Sequence, residues 1–96
     1  MKVFLISYKE SLDDEVMARI NSFGITSFTK WQQVQDQAET GYPRMGTHIW
    51  PGYNTVILFI AGDDTAGELM KDIRKYNEET KFESIKAMNW TLDEVC

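Results

Sequence analysis

The chain is poor in several things. It has one cysteine, Cys96, so an internal disulfide or a zinc ribbon within one chain is excluded. That suits a reducing cytoplasm. It has one histidine, His48, and two prolines. It lacks a basic excess. Ten Lys and Arg face fifteen Asp and Glu, a net charge of −5, which argues against a surface that tracks nucleic-acid phosphates. The longest apolar run, Val56 to Ala61, is far below the ~20 residues of a spanning helix, so direct membrane insertion is not expected. No basic segment leads into an apolar stretch at the N-terminus, so no signal peptide is read there. Neither GxGxxG nor a Walker sequence occurs, and Gly24, Gly62 and Gly67 stand isolated.

What is present suffices for one domain over residues 1–96. Hydrophobic residues make up 43% of the chain, enough to argue against disorder. Val3 to Tyr8 is short and rich in β-branched and aromatic residues, which predicts a strand. Ser11 is placed to cap a helix whose Leu12, Val16, Ile20 and Phe23 recur at helical spacing. Gly24 is placed to end it in the left-handed conformation. Ser27 to Gln35 reads as a second strand; Phe28, Trp31 and Val34 do not alternate cleanly, which suits a bulge or a partly exposed strand. Thr55 to Ala61 is the strongest strand. Asp63, Asp64 or Thr65 should cap a helix with a stripe at Ala66, Leu69, Met70, Ile73 and Tyr76, and Thr65 with Glu68 fits a capping box. Ser84 to Trp90 reads as the last strand. The order β-α-β-β-α-β predicts an α+β, ferredoxin-like fold: a four-stranded antiparallel sheet with both helices on one face. Right-handed crossovers put the first and third strands in the centre.

Such a sheet should alternate apolar and polar if one face is wet. Its central strands do not. Val3 and Leu5 oppose Phe4, Ile6 and Tyr8; Val56, Leu58 and Ile60 oppose Ile57, Phe59 and Ala61. Two helices cover one face only, so the other predicts an obligate homo-oligomer joined sheet to sheet.

The 38–54 segment contains three glycines and two prolines and reads as a long loop. Connections of that length are often functional. It holds Arg44, His48, Trp50 and two tyrosines, and Trp, Tyr and Arg are enriched at binding hot spots. The same aromatics would equally suit an Ω-like loop packed on its own domain or a neighbour. His48 could ligate a metal, with Cys96 or nearby carboxylates, although no ligand spacing accompanies it. No nucleophile is visible beside it for base catalysis. Arg44 and Lys86 are candidates to hold an anion, with Trp31 and Trp50 as stacking surface and Asn54 as an orienting amide. No cofactor can be assigned.

Thr29-Lys30-Trp31, followed by Gly46-Thr47-His48-Ile49-Trp50-Pro51-Gly52-Tyr53-Asn54, resembles a short-loop, transporter-associated group of the PII-like superfamily. The likeness covers the frame from Lys2 to about Leu92. It implies a non-enzymatic regulatory homotrimer that binds a small ligand between subunits and contacts a partner, such as a membrane transporter, through the 38–54 loop. Its expected ligand-binding residues here are Trp31, Arg44, His48, Trp50, Asn54 and Lys86. Thr80-Lys81-Phe82-Glu83 stands where nitrogen-regulatory members carry a glycine- and lysine-containing phosphate turn. CutA-type divalent-metal tolerance proteins, with His48 as ligand, and small dimeric ferredoxin-like enzymes are the alternatives.

Overall fold

A computed structural model describes residues 1–35, 53–80 and 84–96. The elements are β1 (Lys2–Lys9), α1 (Asp13–Ser22), β2 (Thr29–Val34), β3 (Asn54–Ala61), α2 (Asp63–Glu79) and β4 (Lys86–Thr91). The four strands form one sheet in the order β2-β3-β1-β4, with every neighbouring pair antiparallel. This is the ferredoxin-like arrangement expected from the sequence, with the first and third strands central.

The central pair sets the register. β1 and β3 run opposite each other from Lys2↔Ala61 to Lys9↔Asn54. The cross-strand pair Phe4 and Phe59 stacks with ring centroids 5.2 Å apart. Phe4, Ile6, Tyr8, Ile57, Phe59 and Ala61 face the helices and are buried. Leu12, Val16 and Ile20 of the first helical stripe, and Ala66, Leu69 and Ile73 of the second, close the core over them. Met17, Phe23, Met70 and Tyr76 pack around its margin. The two helices are also stapled by Arg19, whose guanidinium pairs with Asp72 and Glu15 and lies over the Tyr76 ring.

Helix ends depart from expectation. A 3-10 turn, Glu10–Leu12, precedes α1, and no side chain caps either of them. Ser11 lies inside that turn, one residue ahead of Leu12, which holds the N-cap position of α1. The Gly62 carbonyl accepts the Ala66 N–H at 2.9 Å, so α2 starts at Asp63 and the Thr65–Glu68 box does not form a cap. Asp63 instead meets the Met1 ammonium at 3.0 Å. Gly24 does adopt a left-handed conformation, φ 79°, after α1. The irregularity expected in β2 is real. The β2–β3 register shifts between Trp31 and Val34, where Gln33 has φ 58°.

Candidate functional site

Pairing fixes which side chains share the helix-free face, because residues directly opposite each other in a sheet point the same way. One row reads Trp31, Val56, Ser7, Lys86 across β2, β3, β1 and β4. The next reads Thr29, Leu58, Leu5, Met88, and beyond it Ile60, Val3 and Trp90. On the other side of the first row, Asn54 stands opposite Lys9. The face therefore has a gradient. Toward the C-terminal end of β3 it is apolar. Toward the end where β3 begins and β1 finishes it carries Ser7, Lys9, Asn54 and Lys86.

The apolar part is open in the single chain. Ile60, Met88, Trp90 and Trp31 keep 40%, 44%, 46% and 47% of their surface exposed. Val3 is buried; Leu5, Val56 and Leu58 are half-buried between strands.

Three of the expected site residues can be placed. Trp31 lies on the β2 edge strand, Lys86 on the opposite β4 edge, and Asn54 at the start of central β3. Trp31 and Lys86 share a row but stand three strand spacings apart, about 14 Å. One protomer does not bring them together. Arg44, His48 and Trp50 lie outside the described residues. Among the described residues no group of three or more His, Cys, Asp or Glu could hold a metal ion. Lys9 was not singled out from the sequence. Period-two alternation with Val3, Leu5 and Ser7 was the signal that places it here.

Two anchors hold this end of the sheet. On the helix side, Lys30, the neighbour of Trp31, sets its ammonium 2.9 Å from Asp13 Oδ1. Tyr8 donates its hydroxyl to the same carboxylate at 2.6 Å. Burial pulls the Asp13 carboxyl upward, but the hydrogen bonds from Tyr8 and Lys30 and the Lys30 charge outweigh it. The group titrates below its ordinary 3.8. Burial, then the bond to Asp13 and its charge, push the Tyr8 phenol far above its ordinary 10.0. Tyr8 therefore remains a neutral donor. On the β4 side, Asn77 of α2 exchanges two hydrogen bonds with the backbone of Ile85, beside Lys86.

Among solved structures, the chain superposes on a PII-like signalling protein of Thermus thermophilus with a TM-score of 0.66 at 13% identity. That match covers 93% of this chain and 83% of the other. It also superposes on CPII, a nitrogen regulatory PII-like protein of Thiomonas intermedia. The CPII structure bound to ADP, AMP and bicarbonate gives a TM-score of 0.65 at 10% identity, covering 99% of this chain and 94% of that one. This is the fold of the PII-like signalling proteins. The form of CPII bound to ADP, AMP and acetate gives 0.66 at 9% identity, over 97% and 88% of the two chains. No family model and no curated relative matches the sequence. The PII-like frame reaches across nearly the whole chain, while identity this low carries the fold alone. No helix among the described residues is long and apolar enough to cross a membrane.

Proposed function

We propose that the chain is a non-enzymatic PII-like regulatory adaptor. It works as a cytoplasmic homotrimer, binds an anionic small molecule at clefts between protomers, and reports it to a partner such as a membrane transporter through the 38–54 segment. The observation that carries this reading is the divided helix-free face. Its apolar body supplies a surface for self-association, and its Lys9–Asn54–Lys86 end supplies cations and an amide beside that surface. Trp31 and Lys86 lie on opposite edges, so a cleft that unites them takes the β2 edge of one protomer and the β4 edge of the next. In that cleft Lys86, with Arg44, holds the anion, and Trp31, with Trp50, offers a flat apolar surface. His48 and Asn54 orient the loop. The likeness to CPII, whose structures hold ADP and AMP, makes adenine nucleotides the first ligands to try. An aromatic base with a charged tail matches a Trp and Lys pair. Signalling then requires only that the ligand bind two loop arrangements unequally.

Mixed oligomers test the shared cleft. Trp31→Ala and Lys86→Gln protomers are each expected to bind ADP poorly in calorimetry. Refolded together at equal ratio, they should restore about one cleft in four, since each cleft draws one residue from each neighbour. A mixture that binds no better than its parents would overturn the reading.

A further inference from the structure

The β1–β4 ladder begins at Lys86 opposite Ser7. Ile85, one residue earlier, has a buried side chain. A side chain does for its backbone what a neighbouring strand would do. Asn77 Oδ1 accepts the Ile85 N–H at 2.8 Å, and Asn77 Nδ2 donates to the Ile85 carbonyl at 2.9 Å. A carboxamide offers donor and acceptor side by side, as a peptide does; an ionised Asp has no donor, and the single oxygen of the shorter Ser or Thr does not span both groups. Asn77 sits near the end of α2, so the clamp ties that end of the helix to the threshold of an edge strand. Strand ends at a sheet edge open readily, because few bonds hold them.

We propose that Asn77 is a positioning residue for Lys86. By holding both polar groups of Ile85, it fixes the backbone from which the Lys86 ammonium projects onto the helix-free face. The backbone that carries the cation is thereby ordered before an anion arrives, so less ordering is left for the binding step. The proposal rests on the reading of Lys86 as an anion-binding residue, and the test separates the two.

The experiment is calorimetric titration of ADP into the full chain as wild type, Lys86→Gln, Asn77→Asp and the double variant. Asn77→Asp keeps the shape and the acceptor for the Ile85 N–H but sets a carboxylate oxygen against the Ile85 carbonyl. Lys86→Gln should weaken ADP binding about tenfold or more, the effect of losing one charge-assisted hydrogen bond. Asn77→Asp should weaken it severalfold while the melting transition stays cooperative, and amide exchange should speed up at Ile85 and Lys86. The double variant should bind no worse than Lys86→Gln alone, because a residue acting through Lys86 has nothing left to position. If Asn77→Asp does not fold, Asn77→Ser is read in its place. Wild-type affinity in the Asn77 variant, or a loss that adds in full to that of Lys86→Gln, overturns the positioning role. If the wild type does not bind ADP, or Lys86→Gln binds it normally, the reading of Lys86 fails and takes the proposal with it.

Discussion

If the proposed trimer forms, replacing Trp90 with lysine should dissolve it while leaving the protomer folded. Trp90 lies on β4 in the most apolar row of the helix-free face and keeps 46% of its surface exposed in the single chain. A tryptophan buries up to about 250 Å², so on the order of 100 Å² remains to be covered by a partner. At about 25 cal/mol per Å² that is roughly 2.5 kcal/mol per protomer, or near 8 kcal/mol over three copies. The association constant should fall by on the order of 10⁵, before the cost of desolvating a lysine is added. The protomer should lose less than about 0.5 kcal/mol, because the side chain lies outside the core. Sedimentation equilibrium across a concentration series reads the association; urea unfolding reads the protomer. Val95→Lys is the control, since Val95 is exposed in the C-terminal tail, outside the strands. It should leave both measurements unchanged. A wild type that sediments as a monomer at tens of micromolar, or a Trp90→Lys chain that stays assembled, would refute the reasoning.

Two further outcomes follow from the helix side of the sheet. Asp13 titrates below its ordinary value in the fold, so its contribution is whole above about pH 5 and is lost as pH falls through the lowered value. Asp13→Asn should cost about 1–2 kcal/mol at pH 7 in urea unfolding, and the cost should shrink steadily as pH falls below about 4; a cost that does not change with pH would show that the Lys30 and Tyr8 contacts do not act through charge. Thr55 is fully buried opposite Tyr8, and its Oγ1 is the buried side-chain oxygen without a hydrogen-bond partner among the described residues. Thr55→Val should raise stability by about 1 kcal/mol in thermal melts, since it removes a desolvated hydroxyl; a loss of stability would mean the hydroxyl is satisfied.

The parts of the fold legible in the sequence are those where one physical signal dominates. The stripes through Leu12, Val16 and Ile20, and through Ala66, Leu69 and Ile73, are buried because 3.6-residue spacing leaves no other packing for them. The irregularity of β2 showed in the failure of Phe28, Trp31 and Val34 to alternate, which left a bulge and a partly exposed strand both open; the strand has a register shift and is mostly exposed. Caps were less legible. Ser11 and Thr65 have the right chemistry, but a 3-10 turn shifts the start of α1, and Gly62 starts α2 before Thr65 is reached. Local propensity ranks such choices within a fraction of a kcal/mol, and tertiary contacts such as Met1 with Asp63 decide them. The candidate site residues were chosen by type, and three of them can be placed. Trp31, Asn54 and Lys86 each fall on the helix-free face, as alternation requires. Their separation across the sheet depends on strand order, which emerges only when β1 and β3 take the centre. The clamp by Asn77 left no trace in periodicity, because it joins a helix end to a strand through one amide.

Strand order also decides which symmetry can complete the site. A two-fold contact made edge to edge joins like edges. Such an edge contact would set Trp31 beside Trp31, or Lys86 beside Lys86 with two ammonium groups opposed. A contact from the β2 edge of one protomer to the β4 edge of the next is head to tail, and each Lys86 then meets a Trp31. Head-to-tail contacts either close into a ring or run on as a filament. In the proposed three-membered ring the apolar rows of Trp90, Ile60 and Met88 would turn inward together, so one arrangement would both cover the exposed face and build the cleft. A two-fold dimer joined edge to edge would break that pairing of Trp31 with Lys86. Counting protomers by native mass spectrometry, with two copies as the refuting result, therefore tests the proposed trimer without a ligand.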